Sequence, residues 1–118
     1  MKIVLALTMF SLFFLNSGCN ITDTVDGKSW LDKLIDQIKS EEVTNPPSSI
    51  WRYEYKGRTV YFRPQICCDQ FSYLYDENGN IICAPDGGFT GRGDGRCPDF
   101  FSERTNEKLI WMDKRTYP

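Results

Sequence analysis

The stretch CCDQFSYLYDENGNIICAPDGGFTGRGDGRCPDFF, residues 67–101, contains four of the five cysteines and six of the nine glycines of the chain. Cysteines cross-link a chain and glycines let it turn tightly. The shape of such a segment is therefore set by covalent bonds and turns more than by a large apolar core. We interpret it as the fixed centre of a small exported domain.

The first residues have the pattern of a secretory leader. Met1 and Lys2 precede an apolar run over residues 3–15, which is shorter than the roughly 20 residues needed to span a membrane. Ser17 and Gly18 then stand directly before Cys19, as in a bacterial lipobox, although Asn16 replaces the usual leucine. We predict a lipoprotein signal peptide over residues 1–18 and lipid attachment at Cys19. The alternative is ordinary signal cleavage, with Cys19 an incidental leader residue.

The remainder divides into a tether and one domain. Residues 19–28 are polar and predict a flexible tether, and residues 29–118 suffice for a single domain. Without Lys2 the net charge changes from −2 to −3, which argues against a nucleic-acid partner. We expect an exported protein held by its lipid on the cell envelope, in the outer membrane.

The four remaining cysteines predict two disulfides, since an even number in an exported chain is typical of cross-linking. They are Cys67, Cys68, Cys83 and Cys97. A bond between neighbours fixes no long loop, so we expect Cys67 and Cys68 each to bond to one of the other two. A redox or soft-metal site is the alternative. It lacks Cys-x-x-Cys spacing, and the chain has no histidine.

Alternating patterns predict the rest of an α+β fold. An apolar stripe over residues 30–38 predicts an amphipathic helix, with Ser29 and Asp32 as its capping pair. Residues 50–63 predict a hairpin that turns at Lys56-Gly57, which would place Trp51 opposite Phe62, Tyr53 opposite Val60 and Arg52 opposite Tyr61. We expect the Trp51 face to contact the helix. Exposed tyrosines here would suit a sugar-binding platform, but packing is the commoner use of an aromatic face.

A second hairpin and a tail complete the predicted sheet of four to five antiparallel strands. Residues 71–75 and 80–83 pair across a turn in which Asn78-Gly79 supplies positive φ angles. The glycines after Cys83 predict a loop that is neither helix nor strand and that needs Cys97 to pin it. Residues 109–112 form one apolar run, which predicts a last, mostly buried strand.

Acidic residues cluster around the glycine-rich loop and suggest calcium, which prefers hard oxygen ligands on irregular backbone. The candidate ligands are Asp76, Asp86 and Asp94. The EF-hand pattern fails, because Gly79 is two positions early and no glutamate closes the loop. Aspartate and glycine are also ordinary turn formers, which is the simpler interpretation. Apart from calcium, no cofactor is predicted.

Four motifs of this sequence, read together, resemble a known family. They are CCDQ, LYDENGNIICAPDGG, TGRGDGRCPDF and LIWMDKR. Across residues 30–115 the chain resembles a family of small bacterial lipoproteins whose shared domain has no assigned function. The resemblance implies export and lipid anchoring. It implies no catalytic residue.

The expected function is a non-enzymatic binding or inhibitory module on the envelope. Without histidine, Ser-His, Cys-His and histidine-metal mechanisms are excluded. We expect the loop over residues 85–95 to contact an envelope protein or a glycan, because a loop held in one shape loses little entropy on binding. Its candidate contacts are Pro85, Asp86, Phe89, Arg92 and Asp94. The alternative is a calcium-binding envelope protein, followed by a glycoside hydrolase that uses a carboxylate pair.

Overall fold

The computed structural model describes residues 27–67 and 69–118. In chain order its elements are α1 (Trp30–Ser40), β1 (Ser49–Tyr55), β2 (Arg58–Arg63), β3 (Ser72–Tyr75), β4 (Ile81–Asp86), α2 (Phe100–Glu103) and β5 (Thr105–Met112). This confirms the predicted α+β class, with one amphipathic helix and a five-stranded antiparallel sheet, to which the structure adds the short helix α2. The predicted signal peptide, Cys19, most of the predicted tether and Cys68 lie outside the described residues.

The strand order in the sheet is β4-β3-β2-β1-β5. In the central hairpin Trp51 lies opposite Phe62 and Tyr53 opposite Val60, as predicted. Lys56 and Gly57 have φ angles of 50° and 73°, the positive values that a two-residue hairpin turn requires. The first hairpin and its register are therefore confirmed.

Helix α1 begins at the predicted capping pair, and its other end is bound by a residue that the sequence did not indicate. The Ser29 side chain accepts a hydrogen bond from Asp32 N, and the Asp32 carboxylate accepts one from Ser29 N, which is a reciprocal capping box. At the other end the Arg115 guanidinium donates to the carbonyls of Ile38, Lys39 and Glu41. Arg115 thus binds carbonyls at the C-terminal end of the helix, where Ile38 O also accepts from Glu41 N.

The helix packs on the face of the sheet opposite to the predicted one. Its buried Leu34 and Ile38 contact Ile50 together with Tyr61, Tyr75 and Trp111. Tyr61 pairs with Arg52, on the other side of β2 from Val60 and Phe62. The prediction that the Trp51 face contacts α1 was wrong, because strand alternation separates the two faces of a sheet but does not say which one the helix covers.

A second core fills the other face, and Phe100 of the short helix α2 is its centre. The Phe100 ring is fully buried and lies 5.3–5.5 Å, centroid to centroid, from the rings of Tyr53, Tyr55 and Phe62. Cys83 and Cys97 belong to the same cluster. The disulfide therefore forms part of a core instead of replacing one.

The second hairpin is confirmed, but its details differ from those predicted. In the turn only Gly79, with φ 83°, has a positive φ angle, and Asn78 does not. β4 continues through Ala84 and Pro85 to Asp86, where the sequence predicted loop. Ser72 of β3 pairs with Asp86 there, so the end of β4 takes its backbone partner from the neighbouring strand.

The last strand lies at an edge of the sheet and is mostly exposed, so the prediction of a mostly buried strand was wrong. β5 pairs with β1 alone in the sheet order, and Leu109 and Met112 are 43% and 38% exposed. An apolar run is equally compatible with one buried face or two.

Within the described residues, no helix is both long and apolar enough to cross a membrane.

Candidate functional site

The glycine-rich loop, defined here as residues 87–96, is closed by a disulfide between Cys83 and Cys97. The expected pairing of Cys67 and Cys68 with these two cysteines was therefore wrong. Cys83 is buried in β4 and Cys97 is buried where the chain returns to the core, so the two meet across the base of the loop. Cys67 is disulfide-bonded as well, to neither Cys83 nor Cys97. Cys68 lies outside the described residues.

The loop folds back onto the outer edge of β4. Asp94 N donates to Ala84 O at 2.9 Å, and Gly93 N donates to Gly87 O at 2.9 Å. The Arg96 guanidinium donates to Ile82 O. The bonds to Ala84 O and Ile82 O occupy carbonyls that an edge strand leaves free, so the loop covers this edge of the sheet.

Two glycines permit this close approach. A side chain on Gly93, at φ 72°, would overlap Ala84 O and lie 2.8 Å from the Pro85 carbonyl carbon. A side chain on Gly87, at φ 85°, would overlap Gln70 O. Glycine is therefore required at both positions by space as well as by backbone conformation.

Phe89 projects from this loop into solvent. Its side chain is 96% exposed, whereas the neighbouring Gly88 packs on the ring of Phe71. A large aromatic side chain that is almost wholly exposed on a fixed loop is unusual, because its burial would be favourable by a few kcal/mol. Phe89 is thus the strongest candidate for a contact residue.

The other predicted contact residues differ in how far they are exposed to solvent. Pro85 is buried within β4 and Asp86 is half-buried, whereas Arg92 is exposed near Phe89 in sequence. The Asp94 carboxylate accepts from both Arg96 N and Arg96 Nε at 3.0 Å. Burial acts to raise the pKa of Asp94, but these hydrogen bonds outweigh it and hold that pKa below its ordinary value. Asp94 serves to shape the loop.

The three calcium candidates do not form one site. Asp76 lies in the turn before β4 and Asp86 at the far end of the same strand. Asp76 Oδ1 accepts from the backbone N–H groups of Asn78 and Asn80, and these hydrogen bonds lower its pKa. Among residues 27–67 and 69–118, no three acidic, cysteine or histidine side chains converge to hold a metal.

A family model described as a domain of unknown function, DUF6970, matches residues 36–113. The chain belongs to this family. The match includes the second hairpin, the glycine-rich loop and β5, so it confirms the expected domain of unknown function. No curated protein and no solved structure matches the chain.

This DUF6970 chain also has a polar cluster that the sequence did not reveal. Tyr53 Oη donates to Glu107 at 2.6 Å and accepts from Arg104, whose guanidinium lies 4.7 Å from the Tyr53 ring centroid. Burial, followed by the hydrogen bond to Glu107, raises the pKa of Tyr53 to about 12. Tyr53 lies about 50 residues before Arg104 and Glu107, and no spacing signal connects it to them.

Proposed function

We propose that this protein is a non-enzymatic binding module, lipid-tethered to the cell envelope through Cys19, that grips a partner protein with Phe89. The observation that carries the proposal is the 96% exposure of that side chain on a loop held at both ends. Aromatic side chains dominate the energetics of protein interfaces when they enter a pocket on a partner.

The loop is suited to this role because its shape is set before binding. The Cys83–Cys97 disulfide closes its base, and Asp94 N and Gly93 N fix its path against β4 and Gly87. A segment that is already ordered loses little conformational entropy when a partner binds. Burying the Phe89 ring then contributes about 2 kcal/mol or more to binding, and little loss of loop entropy opposes it.

Arg92 supports a protein partner in particular. Its side chain is exposed three positions beyond Phe89, on the same loop. Arginine and aromatic residues together are the side chains most enriched at the energetic centres of protein interfaces. A glycan partner remains an outcome of the test, because exposed aromatic rings also stack on sugars.

The test replaces Phe89 with a photo-cross-linking phenylalanine analogue in living cells. Tyr117, 56% exposed near the end of the chain, is the matched position for a second variant. We expect a discrete protein adduct from position 89 and none of the same mass from position 117. Co-purification of that partner should fall about tenfold in Phe89→Ala, while the melting temperature is unchanged because the ring is solvated. Identical adducts from both positions would refute the proposal, and an adduct that glycosidases remove would indicate a glycan.

The tether is tested separately. Cys19→Ser should move the protein from the membrane fraction to the soluble fraction and abolish incorporation of a labelled fatty acid. Retention of the label in the variant would rule out Cys19 as the anchor.

A further inference from the structure

One edge of the sheet is covered by the glycine-rich loop, and the other is not. The outer edge of β4 is covered, since Ala84 O accepts from Asp94 N and Ile82 O accepts from Arg96. β5 is the opposite edge. Among the described residues, no backbone hydrogen bond reaches β5 from its outer side. β5 therefore presents unpaired N–H and C=O groups along its outer side, in a row interrupted where the pairing with β1 shifts register between Leu109 and Trp111 and between Thr105 and Lys108. The first of these shifts places Leu109 and Met112 on the same face of the sheet.

An apolar groove accompanies this open edge. Its volume is about 780 Å³, and its walls include Leu109, Trp111 and Met112 of β5 together with Lys39 and Lys114. Leu109 and Met112 are 43% and 38% exposed. An added strand would cover both side chains. Burial of apolar surface would then stabilise its binding in addition to the main-chain hydrogen bonds.

The two faces of the sheet differ in charge at this edge. Leu109 pairs with Trp51 and lies on the face opposite the helix, together with Glu107, whose carboxylate is held by Tyr53 Oη. Lys108 pairs with Arg52 on the helix face. Lys39 extends this positive charge from the last turn of α1. In the described ranges Lys39, Arg52 and Lys108 form no ion pair within 4 Å.

We propose that the β5 edge accepts an extended segment of a partner protein as a sixth strand, and that apolar residues alternate with acidic residues along this segment. Main-chain hydrogen bonds would hold it, and the alternation follows from the two faces. Apolar side chains would cover Leu109 and Met112, and acidic side chains on the other face would meet Lys108 and Lys39.

A second copy of the chain fits this edge less well. It would bring a second set of the same cations, including Lys108, against the first, and like charges in juxtaposition oppose association. The acceptor edge is also separate from the glycine-rich loop, which lies at the opposite edge of the sheet. The β5 edge can therefore bind such a segment whether or not Phe89 contacts a partner.

The probe is the peptide acetyl-TEVEVEVT-amide, with acetyl-TKVKVKVT-amide as its basic counterpart. Binding is followed by the tryptophan fluorescence of the full protein and by amide shifts in nuclear magnetic resonance spectra. We expect the acidic peptide to bind at least about tenfold more tightly than the basic one, with shifts that centre on residues 105–112. Equal binding of the two peptides would overturn the proposal.

Two further variants locate the site. Lys39→Glu combined with Lys108→Glu should weaken binding of the acidic peptide about tenfold, because two attractions become repulsions. Arg92→Glu makes the same kind of charge change on the glycine-rich loop and should leave binding unchanged. Loss of binding in Arg92→Glu alone would assign the peptide to the loop and refute the edge.

Backbone methylation tests the strand pairing itself. Methylating alternate amides removes donors from one edge of the peptide, and shifting the methyl groups by one residue removes them from the other. One methylated form should bind and the other should not. Equal binding of the two forms contradicts strand addition. A dimer that Leu109→Lys dissociates, or adsorption to anionic vesicles in place of peptide binding, would also overturn the proposal.

Discussion

Replacing Gly93 with alanine tests whether the glycine-rich loop is held by its contact with β4. Gly91 provides a matched control, because the φ angles of the two glycines, 72° and 74°, are almost equal. A side chain on Gly91 would have no neighbour within 4 Å, whereas one on Gly93 would overlap the Ala84 carbonyl. The two substitutions therefore share the backbone cost and differ only in the collision.

The expected magnitudes follow from these contacts. An alanine with a left-handed backbone costs about 1–2 kcal/mol, which is the whole effect expected for Gly91→Ala. In Gly93→Ala the loop must also move away from β4. It then loses the hydrogen bonds Asp94 N to Ala84 O and Gly93 N to Gly87 O, each of about 0.5–1.5 kcal/mol. Gly93→Ala should therefore lower the free energy of unfolding by about 2 kcal/mol more than Gly91→Ala does.

Urea unfolding under non-reducing conditions, followed by tryptophan fluorescence, measures this difference. In a domain of this size it corresponds to a difference in melting temperature of about 10 °C. Hydrogen exchange adds a local measurement, since the Asp94 amide should lose protection in Gly93→Ala and keep it in Gly91→Ala. Equal destabilisation by the two substitutions, with Asp94 still protected in both, would refute the reasoning.

Three further substitutions test the cores and a turn. Replacing both Cys83 and Cys97 with alanine should lower the free energy of unfolding in urea by about 3 kcal/mol, because the bond closes a loop of about 15 residues; an unchanged midpoint would contradict this. Phe100→Ala should cost about 3–5 kcal/mol in the same assay, because the ring is fully buried, and a cost below about 1 kcal/mol would show that the second core does not depend on it. Asp76→Asn should lower the melting temperature near neutral pH, because the lowered pKa of Asp76 means that its charge stabilises the fold above the unfolded pKa of 3.8. That difference from wild type should shrink as the pH falls from 3.8 through the folded pKa, and a difference that does not change with pH in this range would exclude the charge as its cause.

Local patterns predicted the elements that are stabilised by near neighbours. Lys56-Gly57 fixed the turn of the first hairpin, and the turn fixed which residues lie opposite each other. Ser29 and Asp32 marked the start of α1 because a capping box is made within four residues. In both cases the partners lie a few positions apart, so the spacing carries the information.

The candidate site was only partly predictable, because its shape depends on contacts that no short-range spacing records. The sequence identified Phe89 and Arg92 on a loop pinned by Cys97, but it did not identify Cys83 as the partner of Cys97. It also placed Pro85 in the loop, although that residue is buried in β4. Both outcomes depend on the loop folding back along β4, which no local spacing specifies.

The sequence alone determined the class of fold, the register of the first hairpin and the cap of the helix, because each depends on contacts between residues close in the chain. Only the tertiary structure decided which face of the sheet α1 covers, which cysteines pair, and which edge is open. These features depend on residues as distant as Ala84 and Asp94, or Ile38 and Arg115, meeting in space. Packing and long-range hydrogen bonds select among arrangements that local preferences leave equally favourable.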